Sequence, residues 1–225
     1  MRTRKLTLEQ TFHKNPIIHD VEQQTDEWFQ VRLAKLSASH QSDIQSSGTG
    51  RRSYMLQLIE EKFTGLPSKN GFKGNKWTDY GNEYESQARS YYELREAVDV
   101  KQVGFIEISP DIGLSPDGLV ELEGGLEIKC RSLGVHLETL SAGKMPPHER
   151  HQIHFSLWAT GRKWWDYVSF CPIIPGDNKY FKQRIFASAK INETIRDEVV
   201  RFLTDMTNLE ASARGSAIAS RAVIT

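Results

Sequence analysis

Three residues near the middle of the chain have the types and spacing needed for metal-assisted chemistry on a phosphate. Asp117, Glu127 and Lys129 lie in the segment SPDGLVELEGGLEIKC (115–130). Glu127 and Lys129 alternate with apolar residues in a strand pattern, so both point to the same face. A hairpin through the intervening glycine turn would bring Asp117 beside Glu127. Two carboxylates with a neighbouring lysine are typical of a Mg²⁺ or Mn²⁺ site that hydrolyses phosphodiesters.

The same pattern has a simpler interpretation. Glu127 and Lys129 could form the solvated face of an edge strand, with Asp117 a turn residue. Glu85 lies in the middle of a predicted helix, where it either faces the sheet as another carboxylate or lies on the surface. Gln152 lies on a second predicted helix and either contacts a substrate or faces solvent. The residue pattern alone leaves these alternatives open.

Histidine and cysteine residues give little support for a zinc site. His148, His151 and His154 recur every three residues, but no cysteine or acidic partner completes a zinc-ligand set. Cys130 and Cys171 lie inside apolar runs and have neither disulfide nor zinc spacing. We therefore interpret both cysteines as buried thiols of a protein in a reducing compartment.

The elements that must position these residues follow from apolar periodicity and from breaker residues. Their order is helices, three strands, helices, two strands and a helix, which predicts a mixed α/β (α+β) domain with a central sheet flanked by helices. Polar, glycine-bearing stretches at 46–53 and 65–75 are interpreted as surface loops. Helices are predicted at 25–36, 53–63, 80–97, 134–142, 148–160 and 191–209, and strands at 103–108, 118–122, 125–130, 163–173 and 180–187.

Length and charge limit the protein class. The 225 residues include 29 basic and 29 acidic side chains, which argues against a simple basic coat protein for nucleic acid. An enzyme that concentrates positive charge in one groove remains compatible with this balance. No apolar run approaches the ~20 residues needed to cross a bilayer, and the N-terminus lacks the apolar core of a secretion signal. We expect one cytoplasmic domain over residues 1–210, with a tail at 211–225 that is either disordered or binds a partner.

A set of short motifs resembles one known family when order, spacing and flanking residues are taken together. From about Trp28 to Trp165 the chain resembles the phage lambda exonuclease family, the YqaJ-type viral-recombinase alkaline exonucleases of the PD-(D/E)xK superfamily. The resemblance implies the restriction-endonuclease-like core of that superfamily. The motifs are Arg32, Ser37-Ala38-Ser39, Gly81-x-x-Tyr84-Glu85, Ser115-Pro116-Asp117-Gly118, Glu127-Ile128-Lys129-Cys130 and Gln152-x-x-x-Ser156-x-Trp158.

The resemblance implies a role for each residue of the first constellation. Asp117 and Glu127 would ligate Mg²⁺, or Mn²⁺ in its place, together with the backbone carbonyl of Ile128. Lys129 would orient or activate the attacking water. Glu85 would support the site through a metal-bound water.

The resemblance also implies a second, DNA-binding set. Arg32, Ser39, Ser115 and Gln152 match the positions that hold a 5′-phosphate, and a guanidinium with neutral donors suits that group. Without the resemblance, Arg32 would be interpreted as a surface ion pair and Ser39 as a helix N-cap. Further candidates are His40 as a metal ligand, Trp77 for stacking on a base, Thr78 at the position of the family's duplex wedge, and Lys76 beside them.

The function implied is a Mg²⁺-dependent 5′→3′ exonuclease acting on double-stranded DNA. It would release 5′-mononucleotides and leave 3′ single-stranded overhangs for recombination. The implied partners are double-stranded DNA ends, two further copies in a homotrimer ring, and a single-strand annealing protein. The resemblance also places the protein in the bacterial cytoplasm, with a phage or prophage origin. The alternatives are an endonuclease of the same superfamily and a catalytically inactive DNA-binding module.

Overall fold

The structure is a computed structural model that describes residue 12 and residues 15–68 and 76–222, except the side chains of 76–82 and 216–222. Its described part alternates helices and short strands along the chain. The helices are α1 (Asp26–Arg32), α2 (Gln41–Gln45), α3 (Thr49–Thr64), α4 (Lys76–Glu96), α5 (Leu133–Ala142), α6 (Glu149–Thr160) and α7 (Ala189–Ala222). The strands are β1 (Ile17–His19), β2 (Leu36–Ser37), β3 (Val100–Lys101), β4 (Phe105–Ser109), β5 (Ile112–Leu114), β6 (Gly118–Val120), β7 (Gly124–Cys130), β8 (Trp164–Phe170) and β9 (Tyr180–Phe186).

The strands of the described residues form two mixed sheets. The larger sheet has the order β3-β6-β7-β8-β9, in which only the β7–β8 pair is parallel. The smaller sheet has the order β1-β4-β5-β2, with β2 and β5 parallel. Helices pack against both sheets, so the predicted mixed α/β class is confirmed. The sequence pattern misses β1, β2, β3 and β5 because strands of two or three residues are too short to display alternation.

All six predicted helices are present, although several begin or end elsewhere. Thr25 caps α1 by accepting a hydrogen bond from the Trp28 amide at 3.3 Å. Gly65 ends α3 in the left-handed conformation. The prediction of a loop over 46–53 is wrong in its second half, because α3 already begins at Thr49. The last helix continues beyond its predicted end to Ala222, through a segment rich in helix-favouring alanine.

The hairpin between β6 and β7 is shifted from its predicted position. The turn occupies 121–123, whereas the sequence indicated a turn at Glu123 and Gly124. Gly124 and Gly125 lie inside β7, and a Cβ on either would lie within 2.5 Å of the rings of Trp164 or Trp165. These glycines therefore serve the packing of two tryptophans on the sheet, and they do not make the turn.

The strand β7 separates its two faces as its sequence predicts. Leu126 and Ile128 are buried in one core cluster with Tyr92 of α4 and Phe170 of β8. Glu127, which points to the other face, is only 2% exposed. A larger core cluster, drawn mainly from α3, α6, α7 and the smaller sheet, lies elsewhere in the molecule. The chemistry-bearing face of β7 is thus an interior surface, and the interpretation of a solvated edge strand is wrong.

Both cysteines are free thiols, as expected. Cys171 is buried and Cys130 is partly buried. Within residues 15–68 and 76–222, no helix is long and apolar enough to cross a membrane.

Candidate active site

The carboxylates of Asp117 and Glu127 come together through the β6–β7 hairpin. Gly118 pairs with Leu126, so the residues just outside that pair, Asp117 and Glu127, lie opposite each other. One oxygen of Asp117 accepts a 2.5 Å hydrogen bond from the backbone amide of Ile128. The predicted hairpin therefore brings the two acids together, and it brings the backbone of Ile128 to the same place.

Lys129 lies on the same face of β7 and points at the carboxylate of Glu127. Its Nζ is 2.5 Å from Glu127 Oε1 and 4.0 Å from an oxygen of Glu149. It also donates to the side-chain carbonyl of Gln152 at 3.4 Å. The ammonium group is thus held on one side by its own strand and on the other by α6.

Gln152 reaches this cluster from α6. Its Nε2 donates a 2.7 Å hydrogen bond to Glu127 Oε1. The interpretation of Gln152 as a solvated helix residue is therefore wrong, because its amide bridges the acid and the lysine of β7.

The helix α4 adds a third carboxylate. Glu85 forms an ion pair with Arg89 one turn later, and the Nε of Arg89 donates to the backbone carbonyl of Asp117 at 3.2 Å. Burial raises the pKa of Glu85, and the negative charge of Glu127 adds to that increase. Glu85 therefore faces the site, in agreement with the interpretation that it points toward the sheet and not with the one that it lies on the surface.

Burial dominates the protonation of these acids. It raises the pKa of Asp117 to about 7, and the charge of Glu85 acts in the same direction. It raises the pKa of Glu127 to about 8, although Lys129 opposes the increase. Burial alone would lower the pKa of Lys129, but the surrounding carboxylates, Glu127 foremost, outweigh burial and raise it. Lys129 is consequently protonated at neutral pH.

The donor set fits a hard divalent cation and does not fit zinc. Glu127 is buried and Asp117 is partly buried, and burial foremost raises the pKa of both carboxyl groups. A cation bound between the two carboxylates would offset their negative charges. Among the described residues, no group of three or more histidine, cysteine or acidic side chains is arranged to hold a metal. Zinc sites usually need at least three such ligands, whereas Mg²⁺ takes one or two carboxylates and keeps several waters.

A cavity of about 530 Å³ lies next to these residues, and we call it the arginine cavity. Its lining includes the four predicted phosphate-binding residues, Arg32, Ser39, Ser115 and Gln152. Arg32 donates to Ser115 Oγ at 3.1 Å, and its guanidinium lies 3.9 Å from the centre of the Trp28 ring. Burial lowers the pKa of Arg32 to about 10. The structure therefore brings these four predicted residues together around one partly buried guanidinium.

The two simpler interpretations of these residues are both wrong. Arg32 is not a surface ion pair, because it is partly buried and donates a hydrogen bond to the hydroxyl of Ser115. Ser39 is not a helix N-cap, because α2 begins at Gln41 with His40 at the cap position. The hydroxyl of Ser39 instead lies 3.1 Å from that of Ser37.

His40 also lines the arginine cavity, whereas Asp117 lines a separate one. The Nδ1 of His40 is 2.9 Å from a carboxylate oxygen of Asp43, and the His40 ring stacks on that of Tyr54 with 4.0 Å between ring centres. These contacts do not support the prediction of His40 as a metal ligand. The helix α4 begins with the three predicted DNA contacts, Lys76, Trp77 and Thr78. Only their backbone is described, so their side chains lie outside the described part of the structure.

A second cavity, of about 630 Å³, lies beside the acids, and we call it the carboxylate cavity. Glu85, Arg89, Asp117 and Gln23 line it. Arg89 and Gln23 are absent from the sequence-based set. Arg89 could have been found from its i,i+4 spacing to Glu85, whereas no local signal marks Gln23.

Glu149 is a further residue that the sequence did not indicate. It lies at the start of α6 and is 5% exposed. Its carboxylate forms an ion pair with Arg131, and one of its oxygens is 4.0 Å from the Nζ of Lys129. Its position at a helix start is ordinary for a glutamate, because the helix dipole favours negative charge there. The local pattern therefore gave no reason to select it.

Known proteins resemble both the sequence and this fold. A family model for the YqaJ-like viral recombinase domain matches residues 27–163. The structure of an alkaline exonuclease from Laribacter hongkongensis is 34% identical to this chain, with a TM-score of 0.79, over 86% of this chain and 98% of that one. A structure of the same protein in complex with dAMP gives a TM-score of 0.80 at the same identity and coverage.

More distant relatives share the fold or part of the sequence. A phage-related exonuclease from Haemophilus somnus 129PT is 16% identical with a TM-score of 0.61, over 82% of this chain and 98% of that one. An uncharacterized protein of Acanthamoeba polyphaga mimivirus, R354, is 30% identical over 104 residues, which are 45% of this chain and 18% of that relative. The family model covers more than half of the chain, so the protein belongs to the YqaJ-like viral recombinase family, as its motifs predicted.

Proposed function

We propose that this protein is a divalent-metal-dependent exonuclease that degrades double-stranded DNA in the 5′→3′ direction and releases 5′-mononucleotides. The observation that carries the proposal is the contact between two sites. Gln152 lines the arginine cavity and donates to Glu127 in the carboxylate cluster. The proposed site for a terminal phosphate thus lies directly beside the proposed site for hydrolysis. The similarity to an alkaline exonuclease and to its complex with dAMP, a deoxynucleoside monophosphate, supports the same activity.

The residues that would hold the metal are Asp117, Glu127 and the backbone carbonyl of Ile128, with Glu85 acting through water. Their oxygen donors suit Mg²⁺, with Mn²⁺ as the alternative. When bound, such a cation lowers the pKa of a water ligand and offsets negative charge that develops on a phosphate.

The chain's own residues provide the remaining functions. Arg32, Ser39 and Ser115 bind the 5′-terminal phosphate, because a partly buried guanidinium and neutral hydroxyls match its charge and its oxygens. Lys129, which its acidic neighbours keep protonated, orients the attacking water and offsets charge at the scissile phosphate. Its raised pKa favours this role over that of a general base.

The chemical step is an ordinary hydrolysis. Water adds to the phosphorus that follows the first nucleotide, and the bond from this phosphorus to the 3′-oxygen breaks. The 3′-oxygen takes up a proton, and the first nucleotide leaves with its 5′-phosphate and a 3′-hydroxyl. The shortened strand retains the attacked phosphate as its new 5′ end. Each cycle therefore recreates the group that the arginine cavity binds.

The remaining elements of the proposal follow the family. Continued digestion leaves a 3′ single strand, which suits recombination and an annealing protein as partner. The same proposal includes a homotrimer ring and contacts of Lys76, Trp77 and Thr78 with the duplex end. It also includes a phage or prophage origin and action in the bacterial cytoplasm.

Product analysis with matched substrates tests the proposed function. Linear duplex and covalently closed circular DNA are incubated with the protein and Mg²⁺, and the products are identified by mass spectrometry. The proposal predicts deoxynucleoside 5′-monophosphates from the linear duplex and intact circles. Nicked circles would instead identify an endonuclease. Binding of duplex ends without hydrolysis would identify an inactive DNA-binding module.

A further inference from the structure

Residues 115–117 connect the two cavities. Ser115 lines the arginine cavity and Asp117 lines the carboxylate cavity, with Pro116 between them. Proline restricts its own φ and biases the preceding residue toward an extended backbone. The two functional positions are therefore separated by two residues of stiff chain, roughly 7 Å at the rise of an extended strand.

Each residue of this segment is held by a different side chain. Trp28 Nε1 donates to Ser115 Oγ at 2.9 Å. Arg89 Nε donates to the backbone carbonyl of Asp117 at 3.2 Å. Between them, the Nε2 of Gln23 donates to the backbone carbonyl of Pro116 at 3.1 Å.

Gln23 also ties the segment to the smaller sheet. The same Nε2 donates to the backbone carbonyl of Val103 at 3.2 Å, just before β4. Gln23 itself lines both cavities. One amide group therefore fixes the middle of the 115–117 segment to the scaffold at the boundary between the two sites.

We infer that Gln23 is a positioning residue that sets the offset between the terminal-phosphate site and the carboxylates, and thereby limits each cleavage to one nucleotide. The inference rests on the proposed function. With the segment fixed, a 5′-phosphate held near Ser115 presents the next phosphate of the strand at Asp117. If the Pro116 carbonyl were released, the segment could shift, and a later linkage could reach the acids.

A nearly isosteric substitution tests this role. Gln23→Met keeps the length of the side chain and removes both hydrogen bonds. Gln30→Met makes the same change on an exposed glutamine of α1 that lines neither cavity, and it serves as the control. Product lengths, kcat and KM are measured on 5′-phosphorylated linear duplex with Mg²⁺, and thermal unfolding reports the folded fraction.

For Gln23→Met we expect dinucleotides and longer products beside mononucleotides. We also expect kcat to fall by about 10- to 100-fold, because small misplacements of reacting groups cost this much. KM should change by less than about threefold, because the residues of the arginine cavity remain. Gln30→Met should behave like the wild-type protein. A purely structural role of Gln23 would lower the folded fraction without lengthening the products.

Three results would overturn the inference. In the first, wild-type protein releases mononucleotides and folded Gln23→Met also releases only mononucleotides. In the second, Gln23→Met does not fold, and Pro116→Gly, which loosens the segment by another route, still releases only mononucleotides. In the third, wild-type protein releases no mononucleotides, which refutes the proposed function and the inference with it.

Discussion

Gln152 and Glu127 are joined by a 2.7 Å hydrogen bond from Nε2 to Oε1, across the interface of α6 and β7. The same glutamine lines the arginine cavity and accepts from Lys129 through its Oε1. A single side chain therefore touches the acid, the lysine and the proposed phosphate site. In the proposed function, this contact would let one helix align phosphate binding with hydrolysis.

Replacement of Gln152 by methionine removes this alignment and keeps the size of the side chain. We expect kcat to fall by about 10- to 100-fold, because Glu127 and Lys129 lose their common partner. Steady-state kinetics on 5′-phosphorylated duplex measure the effect. Arg150→Gln, on an exposed residue of the same helix, is the control and should keep wild-type kinetics. Equal kinetics of Gln152→Met and wild type would remove Gln152 from the site.

Neutral replacement of the acids should separate activity from stability. Asp117→Asn and Glu127→Gln keep the shape of the side chain and remove the charge. Activity should fall on the order of 10³-fold, since the cation loses a ligand and charge compensation fails. For Asp117→Asn in EDTA the melting temperature should stay the same or rise, because burying a neutral amide costs less than burying a carboxylate. An active Asp117→Asn variant would refute the assignment of that residue.

The pH dependence of the metal-free protein should reveal the raised pKa values. Burial raises the pKa of Asp117 to about 7 and that of Glu127 to about 8, whereas carboxyl groups of an unfolded chain titrate near about 4. Between these limits the folded state binds more protons than the unfolded state, so its stability falls as pH rises. In EDTA, the melting temperature should therefore decrease from about pH 5.5 to about pH 8.5.

Metal should reverse this trend, because it competes with protons for the same oxygens. Thermal unfolding with and without Mg²⁺ should show a larger increase in melting temperature at the higher pH. The slope in EDTA should be smaller for Asp117→Asn. A Mg²⁺ effect of equal size at both pH values would contradict a metal held by these two acids.

Arg32 should determine the preference for a 5′-phosphate. Arg32→Lys keeps the charge but loses the planar fork and the packing on Trp28, so the ratio of rates on 5′-phosphate and 5′-hydroxyl ends should fall by about 10-fold or more. Single-turnover digestion of the two substrates gives this ratio. Arg196→Lys, on an exposed arginine of α7, should leave it unchanged. A retained preference in Arg32→Lys would place the phosphate elsewhere.

Local pattern was sufficient for the residues whose role follows from strand alternation. The order of apolar and polar residues in β7 already put Glu127 and Lys129 on one face, and the glycines after Asp117 indicated the hairpin. The pattern could not decide whether that face was solvent or interior. That depends on α6, whose Gln152 comes from more than twenty positions away.

The sequence did not indicate residues whose contacts are with backbone atoms far away along the chain. Gln23 binds the carbonyls of Val103 and Pro116, which are 80 and 93 positions away, and no short-range rule connects them. The predicted position of the β6–β7 turn, at Glu123 and Gly124 instead of 121–123, was wrong for a related reason. Its neighbouring glycines are required by Trp164 and Trp165 on another strand, and a glycine pair alone is indistinguishable from a turn signal.

The most direct test of the proposed function is digestion of end-labelled linear duplexes that differ only in the 5′ group. Duplexes with 5′-phosphate or 5′-hydroxyl ends are incubated with wild-type protein in Mg²⁺ or in EDTA, and released nucleotides are followed over time. We predict rapid release of 5′-mononucleotides from phosphorylated ends in Mg²⁺, slow release from hydroxyl ends, and none in EDTA. Equal release from both ends, or release that continues in EDTA, would contradict a metal-dependent hydrolytic site coupled to a 5′-phosphate cavity.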